Sequence, residues 1–71
     1  MKLSDAKKGK YKITHVFGDY KIKIRLGNLG FLKGQKIKVL QNLNGMAKIK
    51  ILKSKLALGR GICGRIEVEK V

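Results

Sequence analysis

The sequence has no proline and no tryptophan, one histidine, one cysteine and four acidic residues. The lone cysteine, Cys63, excludes an internal disulfide framework and fits a reducing compartment. The acids are Asp5, Asp19, Glu67 and Glu69. With so few reactive side chains, no catalytic constellation and no cysteine or histidine pair at metal-ligand spacing can be assembled. We therefore predict no enzyme activity, no tightly bound metal and no tightly bound cofactor.

The few candidate ligands have simpler structural roles. Glu67 and Glu69 lie two positions apart on a predicted strand, hence on one face, and would form at most a weak oxygen site. His15 is predicted to be a partly buried structural residue on a strand. Cys63 is predicted to fill a small position in the core, where a free cysteine packs as a small hydrophobic residue.

Long hydrophobic runs are also absent. The longest uninterrupted apolar run, 56–58, is far too short to span a membrane. The first ten residues lack the apolar region of a signal peptide. We expect one small cytoplasmic domain over residues 1–71, with a core too small for a large substrate pocket.

Positive charge is abundant. The chain has 18 lysines and arginines and a net charge of +14, which attracts polyanions such as nucleic acid, anionic lipid or an acidic protein face. Only Arg25, Arg60 and Arg65 are arginines, the residue that base-edge recognition favours. A simpler explanation is that lysine fills solvent-facing strand positions and guards sheet edges.

Alternation of apolar and polar residues predicts five short strands. They cover residues 10–17, 35–42, 46–53, 55–58 and 65–71. A turn is expected at "NLNG" (42–45), and tight helical turns at "LSDAKKG" (3–9) and "GRGICG" (59–64). Short strands with tight connections predict a small β-barrel, closed or partly open.

Residues 19–29 satisfy two patterns. "YKIKIRL" alternates like a strand, but a helix would place Ile22, Leu26 and Leu29 on one apolar stripe. Asp19 would cap the start of that helix, and Gly30 occupies the position of a left-handed helix stop. Ile24 points away from the stripe. We favour the helix, which explains both ends of the segment, although the local pattern alone leaves both structures open.

Three segments resemble the FeoA family, the small ferrous iron transport proteins A. "RLGNLGFLKGQKIKVL" is similar to the family signature, with matches at Arg25, Leu26, Leu29, Gly30, Phe31 and Gly34. "KLALGRGICGRIEVE" is similar to the closing pattern, and "YKITHVFGD" to the first strand. The resemblance spans about residues 3–69 without a gap.

The resemblance implies a mainly β fold, a small SH3-like β-barrel with one short helix between the first two strands. It also implies a cytoplasmic accessory protein of bacterial ferrous iron uptake that docks on the membrane transporter FeoB and modulates it. FeoB carries an amino-terminal G-protein domain, and Fe²⁺ would be handled weakly or indirectly. Metal-dependent repressors share the fold, but this sequence has no helix-turn-helix half, which favours the transport accessory.

Two positions depart from the family pattern. Lys33 stands where the family has proline, and Gly59 stands where it has arginine, with Arg60 one step on. Because Leu32 follows Phe31 at a turn, we expect one of the two to be exposed as an apolar contact; the alternative is that both cap the barrel end. The candidate partner-binding residues are Arg25, Leu29, Phe31, Leu32, Lys33 and Arg60.

Other functions remain as alternatives. A basic small barrel can bind nucleic acid, but the sparse aromatic residues disfavour this. A stand-alone regulator that responds to a transition metal is a further alternative. An anionic membrane surface, at the inner face of the plasma membrane, is a second candidate partner because of the charge.

Overall fold

The computed structural model covers residues 1–71, and five strands make up most of it. A 3₁₀ turn at Leu3–Asp5 precedes the first strand. The elements that follow are β1 (Gly9–Val16), α1 (Tyr20–Asn28), β2 (Lys36–Leu43), β3 (Met46–Ile51), β4 (Ser54–Leu58), α2 (Arg60–Cys63) and β5 (Ile66–Lys70). All five predicted strands and both predicted helical turns are present.

The strands form one antiparallel sheet in the order β4-β3-β2-β1-β5. The register shifts within β1, between Ile13 and His15, and within β2, between Val39 and Gln41. Such bulges bend a strand and increase its twist, which curves the sheet around its core. The sheet does not close, since β4 and β5 remain its edges. The fold is the predicted SH3-like small barrel in its partly open form, with one helix between the first two strands.

The segment after β1 is the predicted helix. Oδ1 of Asp19 accepts a hydrogen bond from the backbone N–H of Ile22 at 2.9 Å, so Asp19 is the N-cap. Leu26 is buried, and Ile22 packs against the core. Ile24, which did not fit the apolar stripe, points to solvent. The caps and the stripe, and not the alternation, determine the structure of this segment.

The core is a single cluster of 15 buried residues on the inner face of the sheet. The N-terminal segment contributes Leu3 and Ala6, which are fully buried. The terminal ammonium of Met1 donates a hydrogen bond to the carbonyl oxygen of Val68 at 2.9 Å, holding this segment against β5. Cys63 is fully buried in the cluster, which confirms its prediction as a core residue.

The β2–β3 hairpin closes through a two-residue turn at Asn44 and Gly45, both with positive φ. Asparagine followed by glycine is the sequence that such a turn favours. Asn42 stabilises it: its side-chain oxygen accepts a hydrogen bond from Gly45 N–H, and its amide donates to the carbonyls of Ser4 and Ala6. The predicted turn is therefore confirmed, and it also anchors the N-terminal segment.

His15 is a correction to the sequence analysis. It was predicted to be partly buried, but it is exposed. The bulge at Thr14 breaks the alternation that puts Tyr11 and Ile13 in the core, so His15 turns outward and Val16 packs against the core instead. The His15 ring lies against the exposed ring of Phe17, with centroids 4.6 Å apart.

Candidate docking surface

The end of α1 determines which apolar residues reach solvent. The N–H of Gly30 donates to the carbonyl of Gly27, and the N–H of Phe31 donates to the carbonyl of Leu26. With Gly30 at φ +98°, these bonds form a Schellman stop. The turn directs Phe31 into the core, where it is 1% exposed, and leaves Leu32 outside at 59%.

Phe31 is therefore a correction within the predicted contact set. A side chain buried on all sides has no surface to offer a partner, and Phe31 acts as an anchor of the α1–β2 connection. Leu32 alone is the exposed member of the pair. The alternative, in which Phe31 and Leu32 both cover the end of the barrel, is wrong because Leu32 is exposed.

Three exposed leucines surround the C-terminal end of α1, and we call them the apolar tip: Leu29, Leu32 and Leu52. Leu32 lies over Gly27, where an added Cβ would be 3.4 Å from its Cδ2. Leu52 lies over Gly30, where an added Cβ would be 3.0 Å from its Cδ1. The glycines at the end of the helix thus let two of the leucines pack closely on backbone while most of their surface remains in solvent.

Leu52 was not identified from the sequence, which placed it inside the third strand. β3 ends at Ile51 because Leu52 and Lys53 form a two-residue turn to β4, with Ile51 paired to Ser54. Leu52 has φ +54° and is 63% exposed. A branched apolar residue in the left-handed region costs about 1–2 kcal/mol, and glycine or asparagine would avoid most of that cost. Strain at an exposed leucine points to a role outside folding.

A small apolar groove adjoins the tip. It lies between α1 and α2, has a volume of about 150 Å³, and is lined by Ile22, Arg25, Leu26, Leu29, Leu58 and Ile62. Leu29 belongs to both the groove and the tip. The exposed side chain of Arg25 lies at the rim of the groove. Of the predicted contacts, the groove therefore brings Arg25 beside Leu29.

The two remaining predicted contact residues, Lys33 and Arg60, lie in different places. Lys33 is exposed directly after Leu32 and lines a hollow with His15 and Lys23, so it borders the tip. Arg60 lies elsewhere: its Cγ and Cδ would be 2.6 Å from a Cβ added to Gly45, over the β2–β3 turn. The structure therefore places Arg25 with Leu29 at the groove and Lys33 with Leu32 at the hollow, and it places Arg60 over the β2–β3 turn.

Glu67, Glu69 and Cys63 each make a contact within the fold. Glu67 lies 3.3 Å from the terminal ammonium of Met1, and Glu69 lies 3.1 Å from Nζ of Lys12. Burial raises the pKa of the Cys63 thiol, and its Sγ donates a weak hydrogen bond to the carbonyl of Leu58 at 3.4 Å. No three histidine, cysteine or acidic side chains lie close enough together to hold a metal ion.

Neither α1 nor α2 has the length and apolar character needed to cross a bilayer.

Comparison with known proteins identifies the family. The model of the FeoA domain matches residues 1–70. The crystal structure of an iron uptake regulatory protein, FeoA, is 27% identical and superposes with a TM-score of 0.91 over 100% of this chain and 97% of that one. The FeoA protein from Chlorobium tepidum is 28% identical, with a TM-score of 0.86 over 100% of this chain and 70% of that one.

Other similar structures share the fold in a larger protein. The manganese-activated repressor ScaR is 24% identical, with a TM-score of 0.86 over 100% of this chain but 35% of its own. That likeness shows the fold alone. Among curated proteins, no sequence matches. Because the domain model covers all but the last residue and FeoA structures superpose over the whole chain, this protein belongs to the FeoA domain family.

Proposed function

We propose that this protein acts in ferrous iron transport by docking on the cytoplasmic part of a FeoB-type membrane transporter and modulating it, without catalysing a reaction itself. Membership of the FeoA family supports the iron transport role. The observation that carries the docking role is the apolar tip, where three leucines remain between 46% and 63% exposed on a domain of net charge +14.

The tip has the composition of a binding site. Apolar side chains that cluster on an otherwise charged surface mark interaction surfaces, and a few such anchors carry most of the binding energy. Lys33 and Lys53 follow Leu32 and Leu52 directly and are exposed beside them. Together with Arg25 they place positive charge around the leucines, which complements a partner surface with an apolar centre and acidic margins. Fe²⁺ is the cargo of the transporter in this proposal.

The test is an amide NMR titration of the protein with the isolated G-protein domain of the transporter at physiological salt. We expect shifts at residues 29–34 and at Leu52. Leu32→Ser should weaken binding about 10-fold or more, because it removes an exposed anchor at the centre of the contact.

Leu43→Ser is the matched control, since Leu43 is 54% exposed but lies beside the β2–β3 turn. It should bind like the wild-type protein. Unchanged binding by Leu32→Ser, or a titration that moves no amide of the tip, would exclude this surface as the contact.

Leu52→Asn is expected to change stability and partner affinity in opposite directions, and it therefore distinguishes an effect on docking from an effect on folding. Asparagine tolerates positive φ, so the free energy of unfolding should rise by about 0.5–1 kcal/mol in urea denaturation. Affinity for the G-protein domain should fall all the same, since the apolar contact is lost. A variant that is more stable and binds normally would show that Leu52 has no part in docking.

A further inference from the structure

Lysines from four adjacent strands form a row across the outer face of the sheet. Lys10 of β1 pairs with Lys38 of β2, Lys38 with Lys50 of β3, and Lys50 with Lys55 of β4. All four side chains are exposed. Neighbouring strands lie roughly 4.8 Å apart, so the four lysines, one on each strand, form a row about 14 Å long.

This row works against the stability of the sheet. Like charges directly opposite each other on adjacent strands are destabilising, and opposite charges or threonine would pair better. Lys12 also lies opposite Lys36, and the two acids of this face, Glu67 and Glu69, stand on the edge strand β5, where Glu69 pairs with Lys12. No acid lies within the row itself.

Protection of sheet edges does not explain the arrangement. Lysines that prevent edge-to-edge aggregation belong on edge strands, here β4 and β5. Lys38 and Lys50 instead stand on β2 and β3, which are paired on both sides. Edge protection therefore does not account for these destabilising lysine pairs. Binding of a ligand to this face would account for them.

The chemistry around the row favours one kind of polyanion. Lys10, Lys36, Lys38 and Lys50 line a shallow depression whose margin carries the exposed apolar side chains of Leu52 and Val71. No aromatic side chain and no arginine lies in the lysine rows, so stacking on bases and bidentate readout of base edges are both missing. Lysines mixed with exposed apolar residues suit a lipid surface, where ammonium groups meet headgroup phosphates and apolar groups enter the headgroup boundary.

We propose that the outer face of the sheet, built on Lys10, Lys38, Lys50 and Lys55, binds the surface of an anionic lipid bilayer. The inference rests on the register and charge of this face and is independent of docking through the apolar tip.

Vesicle binding tests the proposal. The protein is titrated at physiological salt with vesicles of phosphatidylcholine containing phosphatidylglycerol, and with vesicles of phosphatidylcholine alone. The wild-type protein should bind the anionic vesicles only. Each lysine at an anionic surface contributes roughly fivefold in affinity, so the double variant Lys38→Gln/Lys50→Gln should bind about 30-fold more weakly.

Lys21→Gln/Lys23→Gln is the matched control, because it removes the same charge from exposed positions on α1. It should lose much less affinity. The variant in the row should also have a higher midpoint of thermal unfolding at low salt, which shows that lost binding does not come from unfolding.

Three outcomes would overturn the proposal. Equal losses in the two double variants would mean that net charge, and not this face, attracts the bilayer. If the wild-type protein does not bind anionic vesicles, an anionic bilayer is excluded as the ligand of this face. Binding to duplex DNA that depends on Lys38 and Lys50, without vesicle binding at the same salt, would make the face a nucleic-acid surface.

Discussion

Phe31→Ala is expected to lower the free energy of unfolding by about 3–5 kcal/mol, the range for removing a buried aromatic side chain. Phe31 is the largest fully buried side chain, and it fixes the α1–β2 connection to the core. A domain of this length has a total stability of about 4–10 kcal/mol, so the variant should lose a large part of it or unfold. Urea denaturation followed by circular dichroism measures the change.

Leu32→Ala is the control for this prediction, since it removes a similar apolar side chain from the adjacent, exposed position. Its cost should stay within about 0.5 kcal/mol, as for other surface substitutions. The pair would distinguish Phe31, which is needed for folding, from its exposed neighbour Leu32, which folding does not need and for which contact with a partner is proposed. A cost above 2 kcal/mol for Leu32→Ala would place Leu32 in the core and remove the basis of the apolar tip.

Local sequence signals were sufficient for most of the fold. Period-two alternation located the strands, because one face of the sheet is buried and the other is solvated. The segment 19–29 was harder, since its alternation and its apolar stripe predict different structures. The cap at Asp19 and the glycine stop at Gly30 decided between them correctly, because each satisfies backbone groups that only a helix leaves unpaired.

Two of the errors, at His15 and Leu52, arose where the structure depends on pairing between strands. The bulge that exposes His15 follows from the register of β1 against β5, which no local pattern encodes. The two-residue turn at Leu52 lacks the glycine or asparagine that normally marks such a turn, so the strand was extended through it. The lysine row depends on the same register, because lysines far apart in sequence become neighbours only when the strands pair.

The two proposed surfaces are contiguous. Leu52 belongs to the apolar tip and also lies at the margin of the lysine-lined depression. Lysines on a bilayer would therefore hold the tip close to the membrane plane, where the cytoplasmic part of a membrane transporter begins. Simultaneous use of both surfaces would confine the search for the partner to the membrane surface and raise its effective concentration.

Gly30→Ala is expected to have the second large effect. At φ +98° any residue with a Cβ is strained, at a cost of about 1–3 kcal/mol. The new methyl group would also lie 3.0 Å from Cδ1 of Leu52 and 3.4 Å from Cδ1 of Ile51, so the leucine must move. We expect a lower free energy of unfolding in urea, together with amide shifts at Leu52 and Lys53 in the variant that remains folded.

Gly61→Ala is the matched control, because Gly61 lies within α2 with no other side chain near and no positive φ. It should leave stability unchanged or raise it by up to about 1 kcal/mol, since alanine restricts the unfolded chain. If Gly30→Ala is also neutral and Leu52 does not move, the helix stop does not position the tip. A loss of stability with displaced Leu52 would instead show that one glycine both ends the helix and positions Leu52, which lies 22 positions away in the sequence.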